Sequence, residues 1–355
     1  MYRILLVVFI IFSCSNSDDS NPNNINPEPQ NEFLKGADIS FLPEIEDTNY
    51  FYYNANNQSQ DVLTILKNNG LNVVRIRLWK KPNSIRSSFE EVKAFSQRAR
   101  NNGLKVWLTV HYSDTWADPG HQIKPQQWEN ISFNTLKDSV YSYTKKIVTE
   151  IQPDYIQIGN EINPGFIFPE GNRYDYPEQF KALLNEGLQA VKDHSTITKS
   201  MIHYAGYSNA YGFFNSLSDL DYDIIAISYY PSWHGKDLNS LKNMILSLKS
   251  NMQKDLVIAE VAYPFTLGWN DWTNNIVGLE DQLIPDFPAT PQGQKEFLEA
   301  INQICIDTES IGFCYWAPEW TAYRGDQATN GSNWENQTLF DFDGKILPAI
   351  DVFNN

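Results

Sequence analysis

Short apolar runs alternating with helical patterns, a glycine-capped turn that recurs between them, and no glycine-rich phosphate loop after the first strand predict a single (β/α)8 barrel with long loops. At 355 residues the chain can bury a large core. The strands are expected to begin near Lys35, Asn72, Lys105, Tyr155, Lys199, Tyr222, Asp255 and Gly312. A doubly wound open sheet is the alternative, and the missing phosphate loop argues against it. The barrel is expected over residues 33–355, with no second linker after Glu32.

Helical segments fall between these runs. Val62, Leu63, Ile65 and Leu66 share one broad face, and Phe297, Leu298, Ile301 and Ile304 do the same later. Asn68-Asn-Gly-Leu-Asn-Val73 and Asn101-Asn-Gly-Leu-Lys-Val106 echo one another. Each reads as a helix that ends on a left-handed glycine and passes directly into a strand.

Side chains alternate along a strand, so residues of one parity face the lumen. On the second strand Arg75 and Arg77 share a face, with Val74, Ile76 and Leu78 on the other. Two arginines inside a packed lumen are costly unless paired with carboxylates. The third strand leads into Val110-His-Tyr-Ser-Asp-Thr-Trp-Ala-Asp-Pro119, where His111, Asp114 and Trp116 crowd one loop suited to contacting a substrate. No second histidine at helical spacing accompanies His111, so no metal site is expected there.

The fourth strand reads Tyr155-Ile-Gln-Ile-Gly-Asn-Glu-Ile-Asn163 and the seventh Asp255-Leu-Val-Ile-Ala-Glu-Val-Ala-Tyr-Pro264. Each closes an apolar run on a glutamate, Glu161 and Glu260. At the C-terminal mouth of one barrel the two carboxyls would meet in a pocket, the minimum equipment for cutting a glycosidic bond. An arginine beside Glu260 would hold that carboxyl ionised and lower its pKa. The sixth strand ends Ser228-Tyr-Tyr-Pro-Ser-Trp-His-Gly235, where a tyrosine is placed to hydrogen-bond the second carboxylate. The eighth ends Cys314-Tyr-Trp-Ala-Pro-Glu-Trp320, with Trp316 as a floor under a sugar ring.

Composition agrees with a globular chain. Hydrophobic residues make up 42% and charged residues 20%, too apolar and too weakly charged for a disordered chain. The aromatic share of 14% suits a cleft that stacks sugar faces. The net charge of −16 disfavours nucleic acid, whose phosphates it would repel. The N-terminus reads as a targeting segment. Ile4–Phe12 is apolar but too short for a membrane span, and Ser13-Cys14 after it resembles a bacterial lipoprotein processing site. Residues 1–13 are read as the signal and 14–32 as a flexible tether, with Cys14 as the lipidated residue that anchors the protein to the outer membrane at the cell surface. An ordinary cleaved signal peptide is the alternative. Cys305 in a helix and Cys314 in a strand are expected to be free buried thiols.

The chain resembles the endo-β-1,4-galactanases of glycoside hydrolase family 53, within the clan of retaining (β/α)8 hydrolases. The matching stretches are Gly36-Ala-Asp-Ile-Ser40, Val74-Arg-Ile-Arg-Leu-Trp79, His111 to Pro119, Gly159-Asn-Glu-Ile-Asn163, Ser228 to Gly235, Glu260-Val-Ala-Tyr-Pro264 and Trp334-Glu-Asn-Gln337. The resemblance implies that Glu161 is the general acid/base and Glu260 the nucleophile. It implies that Asn160 binds the sugar 2-hydroxyl and that Arg75 or Arg77 steers Glu260. His111, Tyr229 and Trp316 would support the cleaved sugar, and Asp38, Asp114, Trp116 and Trp233 complete the candidate set. The implied substrate is β-1,4-galactan, cut without a cofactor, and the protein is expected to be a monomer. Some members bind calcium in the loop after the seventh strand. Here Thr266–Asn275 holds one aspartate and no histidine, so no structural calcium is expected. Two other readings stay open: another activity of the clan, such as a mannanase or xylanase, and a non-catalytic glycan-binding surface protein.

Overall fold

Eight parallel strands close into a barrel in chain order, in a computed structural model that describes residues 32–354. They are β1 Leu34–Asp38, β2 Val73–Leu78, β3 Lys105–Val110, β4 Tyr155–Ile158, β5 Lys199–Ala205, β6 Ile224–Tyr229, β7 Asp255–Val261 and β8 Gly312–Trp316. Each begins within two residues of its expected start. Phe33–Asn355 cluster as one compact unit. The signal segment, Cys14 and the tether up to residue 31 lie outside the described residues.

The main helices follow the strands as the pattern requires. They include α1 Val62–Asn68, α2 Phe89–Asn101, α3 Phe133–Glu150, α4 Pro177–His194, α5 Leu238–Met252 and α6 Pro291–Asp307. Val62, Leu63, Ile65 and Leu66 are all buried in α1, and Phe297, Leu298, Ile301 and Ile304 in α6. Asp61, Ser88, Ser132 and Thr290 each accept a backbone N–H in the first turn of their helices. Such caps stabilise a helix by about 1 kcal/mol each. Gly70 and Gly103 close α1 and α2 with φ of 93° and 74°. At Gly70 a Cβ would lie 2.2 Å from the Phe353 carbonyl oxygen, so only glycine fits.

Parity along the strands divides the core into two. Val74, Ile76 and Leu78 face outward into the layer between strands and helices. Leu34, Val73, Trp107, Met201, Ala226, Val257 and Cys314 fill the lower lumen as a separate apolar plug. Burying each large aliphatic side chain contributes about 1.5–3 kcal/mol. Above the plug, at the C-terminal mouth, lies a group of buried polar lumen residues that includes Asp38, Arg75, Gln157 and Glu260. Cys305 and Cys314 are free and buried.

Candidate active site

The mouth is organised around Arg75, which is 1% exposed. Its Nη1 donates to Asp38 Oδ2 at 2.6 Å, its Nε to Gln157 Oε1 at 2.7 Å and its Nη2 to Asn160 Oδ1 at 2.9 Å. Nη2 also pairs with Glu260 Oε1 at 2.7 Å. Burial opposes the guanidinium charge, and Glu260 and Asp38 together outweigh it, so Arg75 stays firmly cationic. The open choice between the two arginines is thereby decided. Arg77 pairs with no carboxylate among the described residues. Its guanidinium carbon sits 4.0 Å over the ring of Trp116 and 4.7 Å over those of Phe41 and Trp79. Burial pulls its pKa down to about 10, still cationic at neutral pH. A triple aromatic cage thus replaces the carboxylate partner that burial was expected to demand.

Backbone irregularities aim both glutamates. β4 ends at Ile158, and Gly159 follows with φ 86°, where a Cβ would meet Ile162 Cγ2 at 2.5 Å. Glu161 itself has φ 48°, a strained position for a side chain with a Cβ. On β7 the register against β6 slips, so that Ser228 pairs with Glu260 one residue beyond strict alternation. Ala259 stays in the lumen plug and Val261 joins the outer layer, so the bulge turns Glu260 inward. One oxygen each of Glu161 and Glu260 and one ring nitrogen of His203 lie within 4.8 Å of one another.

The two carboxyls occupy different electrostatic settings. Burial pushes Glu161 up, the charge of Glu260 pushes it further, and its pKa reaches about 8. Burial also raises Glu260, against the pull of Arg75 and a 2.9 Å hydrogen bond from Tyr230 Oη. The expectation of a lowered pKa counted the arginine and omitted the desolvation. What the arginine does set is the order. With a cation in contact only at Glu260, that carboxyl loses its proton first and Glu161 keeps its own. A protonated acid beside an ionised carboxylate can protonate a leaving oxygen on one side while attacking carbon on the other.

Asp38, Arg75, Arg77, His111, Trp116, Asn160, Glu161, Trp233, Glu260 and Trp316 all line one cleft of about 600 Å³. Two candidates do not. Asp114 braces the loop, its Oδ1 accepting from Lys81 N and its Oδ2 from Gln126 N, both at 2.9 Å. Tyr229 points to the outer layer, where its hydroxyl donates to the Gly235 carbonyl at 2.9 Å and its ring stacks on Phe297. The tyrosine on Glu260 is Tyr230. Ser228 faces the lumen, so alternation puts Tyr229 outside and Tyr230 inside, a parity readable in the sequence once one inward residue is known. His111 is buried and held neutral by desolvation and by Arg77 and Arg75, and its Nδ1 accepts from Ala117 N at 2.9 Å.

Sequence reasoning also passed over His203 and Ser228. Ser228 Oγ donates to Glu161 Oε1 at 2.5 Å, and His203 Nε2 lies 2.9 Å from Ser228 Oγ. Both sit at lumen parity inside otherwise apolar strands, which is the signal that would have found them. Aromatic rings wall the cleft. Trp334 packs 4.7 Å from Trp316 and stacks with Trp233 at 6.2 Å, and Trp233 is 55% exposed. Flat apolar faces in that arrangement suit successive sugar rings.

The loop after β7 gains a second carboxylate from the fold. Glu335, in the segment after β8, accepts from Asn270 N at 2.6 Å. Asp271 Oδ2, Asn275 Oδ1 and Glu335 Oε2 are buried without a donor. Oxygen atoms of that kind fit a hard divalent cation better than the loop composition alone suggested.

Residues 34–353 match the family model described as glycosyl hydrolase family 53. An arabinogalactan endo-β-1,4-galactanase of Cellvibrio japonicus is 33% identical, over 90% of this chain and 90% of the relative. The solved family 53 catalytic domain of Ignisphaera aggregans superposes with a TM-score of 0.86 at 34% identity, over 93% of this chain and 98% of that one. A solved fungal β-1,4-galactanase superposes at 0.79 and 27% identity, over 90% of this chain and 98% of its own.

Proposed function

Because the chain belongs to glycosyl hydrolase family 53 and is a glycoside hydrolase, we propose that it cuts β-1,4-galactan internally with retention of configuration. The observation that carries the mechanism is the carboxylate pair within 4.8 Å, with Arg75 on one member alone. A retaining pair stands about 5–5.5 Å apart, whereas an inverting pair needs about 6.5–9.5 Å to admit water. Glu161 protonates the departing oxygen as Glu260 attacks the anomeric carbon and forms a glycosyl-enzyme. Glu161, now a carboxylate, takes a proton from water, and the water displaces Glu260. Arg75 and Tyr230 hold Glu260 in line, and Asn160, fixed by Arg75 and by its own Nδ2 bond to the Ala117 carbonyl, faces the sugar.

The test is hydrolysis of β-1,4-galactan followed by proton NMR in the first minutes. The new reducing ends are expected as the β-anomer. Early α-anomer would overturn retention, and reducing ends from mannan or xylan but not from galactan would overturn the substrate.

No step needs a cofactor. A divalent cation would find Asp271, Asn275 and Glu335 as oxygen donors and would tie the loop after β7 to the segment after β8; a calcium-dependent rise in melting temperature measures it.

We place the protein at the cell surface, held by a lipid on Cys14, a reading supported by the apolar run and the Ser13-Cys14 junction. Wild-type protein should partition with membranes, and Cys14→Ala should be released or misprocessed. A wholly soluble wild type would refute the anchor. A multiply acylated cysteine holds firmly where one chain would not.

A further inference from the structure

His203 is fully buried beneath the acid and takes no part in the steps above. Desolvation and the nearby Arg75 keep its imidazole neutral, so it carries a single ring proton. Three contacts surround its ring. Nε2 lies 2.9 Å from Ser228 Oγ, and Nδ1 lies 3.1 Å from Asn160 Oδ1 and accepts from Glu161 N at 3.3 Å. Ser228 in turn sits 2.5 Å from Glu161 Oε1.

The two tautomers differ in which donors they satisfy. A proton on Nδ1 would face the Glu161 N–H and leave that part-buried donor without an acceptor. Its only gain would be Asn160 Oδ1, which already accepts from Arg75 Nη2 at 2.9 Å and Thr109 Oγ1 at 3.1 Å. A proton on Nε2 satisfies every donor. Nδ1 accepts from Glu161 N, Nε2–H donates to Ser228, and the serine hydroxyl has only Glu161 Oε1 left to donate to. An unmet buried donor costs more than an unused lone pair, so the Nε2–H form prevails.

We propose that His203 is a positioning residue for the acid/base. Through Ser228 it fills Oε1 of Glu161 with a donated hydrogen bond and so reserves the other carboxyl oxygen for the proton that is transferred. This rests on the reading of Glu161 as the acid/base. In the acid form the proton is confined to the oxygen that Ser228 does not occupy. In the carboxylate form the same bond stabilises the negative charge that must accept a proton from water. The remaining groups facing Glu161 are Glu260 from β7, Arg75 from β2, Asp118 from the loop after β3 and Tyr230 after β6. The first opposes ionisation of Glu161, as does Asp118, and Arg75 favours it. Ser228 and His203 supply the uncharged share of the balance.

The experiment is kcat/KM on β-1,4-galactan against pH, whose alkaline limb reads the free acid. Removing a hydrogen bond from the carboxylate form raises the pKa of that carboxyl, so Ser228→Ala should move the limb upward by about one pH unit. His203→Phe should move it the same way by less, and the double variant no farther than Ser228→Ala alone. His203→Gln, whose amide can still donate to Ser228, should bring the limb back. Lower turnover with an unmoved or lowered limb would mean a merely structural role and would overturn the proposal. Should His203→Phe fail to fold, imidazole 15N NMR of the wild type decides: the Nε2–H tautomer on both sides of the limb supports the arrangement, and Nδ1–H refutes it. Glu161→Gln separates the two readings. If it retains the wild-type limb, the acid assignment fails; if it is nearly inactive, only the histidine arrangement is at stake.

Discussion

Glu161→Gln is expected to lower turnover on galactan by about 10²–10⁴-fold while the barrel stays folded. The amide fills the same volume, and its carbonyl oxygen can still accept the bond from Ser228 Oγ. What it lacks is a proton to donate. At pH 7 the wild-type carboxyl holds that proton because burial and the charge of Glu260 raise its pKa to about 8. The variant should therefore also lose the alkaline limb of the pH profile, since the carboxyl that sets it no longer titrates. The loss should shrink on an aryl galactoside whose leaving group departs without protonation, provided that hydrolysis of the glycosyl-enzyme does not then limit turnover. A glutamine variant with near-normal turnover on galactan would remove Glu161 from the mechanism.

Arg75→Met should destabilise the fold by about 3–5 kcal/mol, the usual cost of removing one partner from a buried ion pair. Asp38 and Glu260 would be left as buried carboxylates, and Gln157 and Asn160 would each lose a donor. Activity should fall for a separate reason. Arg75 pulls the pKa of Glu260 down against its burial, so removing it raises that pKa and moves the acid limb of the rate profile upward. At mildly acidic pH less of the nucleophile would be ionised. Urea unfolding and the pH profile of the folded fraction measure the two effects independently. A variant as stable as wild type, with the acid limb unmoved, would show that neither carboxylate depends on this guanidinium.

Much of this arrangement was legible in the chain. The strand starts could be read because β-branched runs bounded by Asn-Gly turns leave few alternatives for an αβ repeat. Glu161 and Glu260 stood out as a pair, because two apolar runs of one repeat each close on a glutamate, whereas one such glutamate alone can simply be a solvated strand end. Arg75 and Arg77 could be placed in the lumen from period two, yet nothing local distinguishes them. Position along β2 does: Arg75 lies beside Asp38 on β1, and Arg77 sits one layer higher among aromatic rings from three different loops. Asp114 looked like a substrate contact because it shares a loop with His111 and Trp116. Its partners, Lys81 N and Gln126 N, are remote in sequence.

By itself the sequence determined the barrel, the family and the placing of Glu161 and Glu260 at the ends of the fourth and seventh strands, because these depend on periodicity and on residue types at strand ends. Where each side chain points was decided by the tertiary structure. Strict alternation from Val257 and Ala259 in the lumen would send Glu260 outward, into the apolar layer beneath the helices. The slip between β6 and β7 turns it inward to Arg75 and Tyr230. That slip is a property of two strands hydrogen-bonded side by side, and a single strand's sequence carries no record of its neighbour's register.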